Sequence, residues 1–276
     1  MTPPPPGRVD PDLADRLTDA VLLSGLPVAF GEEGPGVRIR PARPAADSDR
    51  CAGVAALDWL PSPRLSGAAA MAEPGQPAGP AREVVGTAME NALAEFLPAF
   101  GLEAARDGSG RELRVGPPAL PAAGLRVPPG VLAARPAGPT PAELGLPAAL
   151  LDTLRRSAAL AGLPLAAHLG GTGITLAPCP PAGDTAAGPG EDQGAEGAEG
   201  AEGAADLGWN PSRRLADLAD SDRPEAPAAA TARAAVDAAM RHALGTALRA
   251  CGTELRWLHA LQRLRVYGES VPTIRR

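Results

Sequence analysis

Apolar residues recur every three or four positions along some stretches of the chain and alternate along others. Leu13, Leu17, Ala20 and Val21 fall on one face of a helix that ends at Ser24 and Gly25, and Leu150, Leu154 and Ala158 before Gly162 repeat the pattern. After each helix, two short strand-like runs flank a Gly-rich turn: 27–30 with 37–40, and 163–167 with 174–177, which predicts a hairpin. A third strand is expected over 54–59. The clearest helical periodicity spans 81–100, where Val85, Met89, Leu93 and Leu97 lie four apart, and Val236, Met240, Leu244 and Leu248 reproduce it. Residues 102–105 and 112–115 around Asp107-Gly108 predict a further hairpin, whereas 253–266 fits a helix as well as strands.

These patterns come in pairs because the chain resembles itself. Residues 11–41 lie over 148–178 with 11 of 31 positions identical, 57–65 over 207–215 with 6 of 9, and 81–115 over 232–266 with 14 of 35. The blocks are colinear, which an Ala-rich composition alone does not produce. The expected fold is therefore α+β: a tandem duplication of a small α-β-β-β-α-β(β) module, with helices on one face of a mainly antiparallel sheet. The first repeat is placed at 10–115 and the second at 147–266, with a Pro-rich linker at 116–146 and tails at 1–9 and 267–276. Loops are expected at 43–50 and 66–80. The offset between copies grows by 13 residues across 180–206, whose acidic Gly/Ala repeat has nothing large to bury and reads as an insertion.

Charge adds a reason for the copies to meet. Residues 1–115 carry a net charge of −5, residues 116–179 of +2 and residues 207–276 of +4, against −6 for the whole chain. Opposite fields favour docking one half on the other, so the expected arrangement is a pseudo-two-fold intrachain dimer.

Composition then removes classes of chemistry. All 26 basic residues are Arg, which excludes a phosphate-gripping lysine and a lysine Schiff base. The lysine deficit, with abundant Ala, Gly and Pro, reads as the codon bias of a GC-rich bacterial genome. Cys51, Cys179 and Cys251 are too far apart for a zinc knuckle or a disulfide framework. No run reaches the ~18 apolar residues of a membrane span, and the opening residues lack the apolar core of a signal peptide, so a soluble cytoplasmic protein is expected. His168, His242 and His259 face Gly31, Asn91 and Gly108 in the other copy, so no histidine belongs to the shared framework. His242 and Cys251, nine residues apart on one helix, point in opposite directions and form no nucleophile–base pair. No metal spacing, phosphate loop or nucleophile elbow is present.

The densest repeat is Trp-x-Pro-Ser-x-Arg-Leu at 59–65 and 209–215. One reading puts Trp59 and Trp209 in the core, with the serines capping a helical turn and the leucines anchoring it. The other makes Arg64 and Arg214 a symmetric pair beside the Trp rings, able to grip a carboxylate or phosphate. At the C-terminus, Tyr267, Val271, Ile274, Arg275 and Arg276 are either a frayed end or a docking peptide. The expected function is a non-catalytic interaction or regulatory protein, adaptor- or chaperone-like, with a protein partner, no cofactor and no metal. The alternative is an anion binder or enzyme with its site in the cleft between repeats, using Arg64, Arg214 and Asp58. Nucleic acid and membrane are not expected partners, because +4 over the second half is weak and stacking aromatics are scarce.

Overall fold

The computed structural model describes residues 8–29, 34–42, 54–73, 75–110, 112–117, 125, 138–179, 204–258 and 263–267. Asp10 opens the first helix, α1 (Pro11–Leu23), by accepting the Asp12 and Leu13 amides at 3.0 and 3.2 Å, with Pro11 in the first turn. α1 buries Leu13, Leu17, Ala20 and Val21 and ends at Gly25, whose φ of +85° closes the turn. There follow β1 (Gly36–Pro41), β2 (Ala55–Leu60), α2 (Pro63–Met71), α3 (Ala78–Phe96), a 3-10 turn (Leu97–Phe100), β3 (Glu103–Arg106) and β4 (Leu113–Gly116). The rear half repeats this order as α4 (Ala148–Ala161), β5 (Gly173–Pro178), β6 (Ala204–Asn210), α5 (Arg213–Ala219), α6 (Ala226–Ala250), β7 (Leu255–Leu258) and β8 (Arg263–Tyr267).

The fold is α+β, with two four-stranded antiparallel sheets and six α-helices among the described residues. Strand order is β1-β2-β4-β3 in one sheet and β5-β6-β8-β7 in the other. Alternation sends Val37, Leu57, Trp59, Leu113 and Val115 inward, where α3 lies on β2, and Ile174, Leu207, Trp209, Leu264 and Val266 inward, where α6 lies on β6. α3 packs on α6, so one apolar cluster runs through both halves. Each short helix sits on the opposite half's first helix, α2 on α4 and α5 on α1.

Several expectations need correction. The described residues of the expected strands at 27–30 and 163–167 do not pair as hairpins: each run makes an isolated parallel bridge, Val28 to Val37 and Leu165 to Ile174. Pro27 and Pro164 have no amide to donate and offer only their carbonyls, to Val37 and Ile174, and the strand goes on to pair with β2 or β6 instead. Residues 63–71 are helix, not a single turn followed by loop, because Ser62 accepts the Leu65 amide at 3.3 Å and Pro63 starts the turn. The ambiguity at 253–266 resolves into strands at its described residues, Leu255–Leu258 and Arg263–Tyr267, while 259–262 lie outside them. β6 begins at Ala204, so the last three residues of the segment read as an insertion belong to the sheet, and Asp206 is buried. Tyr267 is likewise no tail residue but the end of β8, opposite Ala204. Leu125 and Leu146, within the expected linker, pack against the core. Phe30, Cys51, His259, Val271, Ile274, Arg275, Arg276 and residues 180–203 lie outside the described residues.

Candidate functional site

The repeated Trp-x-Pro-Ser-x-Arg-Leu block joins the halves. Trp59, 4% exposed at the inward face of β2, donates its Nε1 hydrogen to the Ala161 carbonyl at 2.9 Å. Trp209, 3% exposed on β6, donates to the Ser24 carbonyl at 2.8 Å. The Ser62 amide donates to Leu160 O at 3.1 Å and the Ser212 amide to Leu23 O at 2.9 Å. Each bond crosses from one half to the end of the other half's first helix, where carbonyls lack a helical partner. The chain can come this close because Gly25 and Gly162 have no side chain. A Cβ on Gly25 would stand 3.0 Å from Asn210 O, and one on Gly162 would stand 3.3 Å from Leu60 O.

The arginines of the block are placed differently. Arg64 is exposed on α2 and Arg214 half-buried on α5, and neither lines either of the two cavities described next. Asp58, the carboxylate that would join them, is engaged elsewhere. The first cavity is a groove of about 320 Å³ between α3 and α6. Ala88, Asn91, Ala92 and Glu95 of α3 face Ala239, His242, Ala243 and Thr246 of α6, which are the positions paired in the sequence comparison, and Glu83, Val84 and Thr87 extend the α3 wall. The second, of about 400 Å³, belongs to the rear half and includes His168, Asn210, Arg213, Asp217, Asp220 and Arg233. Its charges are internally paired, Arg213 with Asp217 at 3.4 Å and Arg233 with Asp220 at 3.1 Å.

Both described thiols are held toward the protonated form. Burial pushes the Cys251 thiol up to about 11, and burial together with the Asp206 charge raises Cys179. Among the described residues no group of three or more His, Cys, Asp or Glu side chains is arranged to hold a metal ion, and no helix is long and apolar enough to cross a membrane.

Sequence reading missed the charge networks on the sheet faces turned away from α3 and α6. On the first, Asp58 accepts from Arg38 at 2.9 Å and from Arg40 at 2.6 Å, while Glu112 bridges Arg40 at 2.7 Å and Arg114 at 3.0 Å. On the second, Asp206 accepts from Arg263 at 3.0 Å and Arg265 at 2.8 Å. The signal was present as Arg-Ile-Arg at 38–40 and Arg-Leu-Arg at 263–265, alternations that place the charges on one face.

These networks predict an acid limb in stability. Burial alone would raise Asp58 and Asp206, but the arginine hydrogen bonds outweigh it and hold both below the ordinary carboxylate value. A lowered folded value contributes stability that is complete above the unfolded value, about 4, and is lost as pH falls through the folded one. Glu90 opposes this: burial raises it more than Arg106 lowers it, so its ionisation weakens the fold as pH rises. Urea midpoints measured across pH 2–7 are expected to fall steeply below about pH 4. Asp58→Asn is expected to lower the neutral midpoint and flatten that limb.

No protein-family model, no curated protein and no solved structure matches the chain.

Proposed function

We infer that the chain is a tandem duplication whose two modules dock about a pseudo-two-fold axis, and that it acts as a non-catalytic, adaptor-like protein-interaction scaffold. The observation that carries the reading is how the repeated residues are used. Trp59 with Ala161 answers Trp209 with Ser24, and Ser62 with Leu160 answers Ser212 with Leu23, each pair related by the offsets of the sequence comparison. The Trp and Ser held in common thus serve cohesion, whereas Arg213, which faces Pro63 in the other copy, pairs with Asp217, and burial raises the described thiols of Cys179 and Cys251.

The groove between α3 and α6 is the surface this scaffold offers. Four pairs of equivalent positions on the two helices line it, which supports reading it as a groove at the pseudo-axis. Its floor is small and apolar, with Ala88, Ala92, Ala239 and Ala243, and Val84 is 40% exposed at one end. Glu83 and Glu95 give its rim negative charge, and His242 is the only basic residue among those lining it. The chemistry that complements such a groove is an amphipathic helix with a narrow apolar stripe flanked by Lys or Arg. A fluorescent peptide of that design is the probe. The double variant Glu83→Arg, Glu95→Arg is expected to weaken its binding about tenfold or more with an unchanged urea midpoint, because both residues are exposed. Equal binding of the same peptide with glutamates in place of its basic residues would contradict the assignment.

A further inference from the structure

The sheet faces turned away from α3 and α6 differ in charge at equivalent positions. Arg114 and Arg265 correspond, but Glu112 of the first sheet is matched by Arg263 in the second, and Ala105 by Arg256. The first face balances Arg38, Arg40 and Arg114 against Asp58 and Glu112, so both carboxylates bridge two guanidinium groups. The second, among the described residues, sets Arg256, Arg263 and Arg265 against Asp206. Arg256 stands directly opposite Arg265 in the β7–β8 register, a like-charged cross-strand pair, which costs a sheet stability. Arg256 is exposed and lies over the Tyr267 ring at 5.3 Å, and a guanidinium that meets a ring by its face can still bond a carboxylate through its in-plane donors. Arg263 is 54% exposed even while it touches Asp206. In a chain of net charge −6, this is a local basic face that its own sheet does not neutralise.

We propose that the outer face of the second sheet binds an acidic polypeptide segment in extended conformation, with Arg256 and Arg263 as the binding residues. Because Arg256 lies opposite Arg265, Arg256 and Arg263 are diagonal neighbours across the β7–β8 ladder, about 7–8 Å apart, close to the spacing of alternate side chains on an extended peptide. Guanidinium forks meet carboxylates in bidentate pairs, and Asp206 holds Arg265 in place beside them. This surface is separate from the helix groove, and its test does not depend on that assignment.

The experiment measures anisotropy of a fluorescein-labelled peptide of alternating Glu and Thr with the full-length chain, at about 50 and 300 mM salt. Binding is expected at the lower salt and is expected to weaken at the higher. The variant Arg256→Ala, Arg263→Ala is expected to weaken it about tenfold, whereas Arg155→Ala, an exposed arginine on α4, leaves it unchanged. Circular dichroism checks that both variants remain folded. Equal binding by the double variant would overturn the proposal. So would tighter binding of a single-stranded thymidine oligonucleotide, which would assign the face to phosphate. Binding that emerges only after Asp184, Glu191, Asp192, Glu196, Glu199 and Glu202 are changed to their amides would assign the face to the chain's own acidic segment, and would equally overturn a partner in trans.

Discussion

Trp59→Ala and Trp209→Ala are each expected to lower the unfolding free energy by about 3–5 kcal/mol, the usual cost of emptying a large aromatic site in a core. Both rings are almost fully buried, so truncation removes packed contacts and leaves a cavity. Each variant also strands a carbonyl, Ala161 O or Ser24 O, at the junction between halves. Trp→Phe isolates that second contribution. It keeps most of the apolar contact and removes the donor, with an expected cost of about 1–3 kcal/mol. Urea denaturation of the four single variants tests the symmetry of the account as well as its size. The two positions are expected to agree within about 1 kcal/mol, since their partners correspond. A large loss at one tryptophan and almost none at the other would mean that the contacts are not equivalent.

Gly36→Ala and Gly173→Ala are expected to be of similar severity, about 3 kcal/mol or more. Gly36 has φ +128° and Gly173 φ +108°, backbone that a residue with a side chain rarely adopts. A Cβ at either position would fall well inside contact distance of a carbonyl, Pro27 O or Pro164 O. Backbone is there on the far side, and it cannot give way as a flexible side chain would. Those carbonyls accept the Val37 and Ile174 amides at 2.9 Å, so the strain spreads into the first strand of each sheet. Gly86 is the control. It sits within α3 with nothing near its would-be Cβ, and Gly86→Ala is expected to stabilise the chain by about 0.5–1 kcal/mol. Thermal melts of the three variants give the comparison.

Where burial follows a single period, reading residues alone located the element. The stripe Val85, Met89, Leu93 is α3, its counterpart is α6, and the Asp107-Gly108 hairpin is β3 and β4. The reading failed where the partner lay far along the chain. Nothing local distinguishes the run after Gly25 as a bridge rather than a strand, because the answer depends on β1 pairing with β2 beyond it. The stretch 253–266 was ambiguous because its alternation is short and rich in Leu and Arg, residues at ease in helices; pairing with β6 decided it. At the site, the repeated Trp-x-Pro-Ser-x-Arg-Leu was visible as a block, but not that its Trp and Ser donate across to the opposite half. A donor's partner about a hundred residues away or more leaves no spacing to read. The arginine faces were visible only as alternation, and their charge imbalance required the register that sets Arg256 against Arg265.

The interlocking of the halves is tested most directly by native-state hydrogen exchange at two amides, Ser62 and Ser212, which cross the junction to Leu160 O and Leu23 O. If the two modules form one cooperative body, both amides exchange only through global unfolding, with equal protection and the same dependence on urea. Exchange at one of them through a partial opening several kcal/mol below the global value would show that one half opens without the other, and would contradict it.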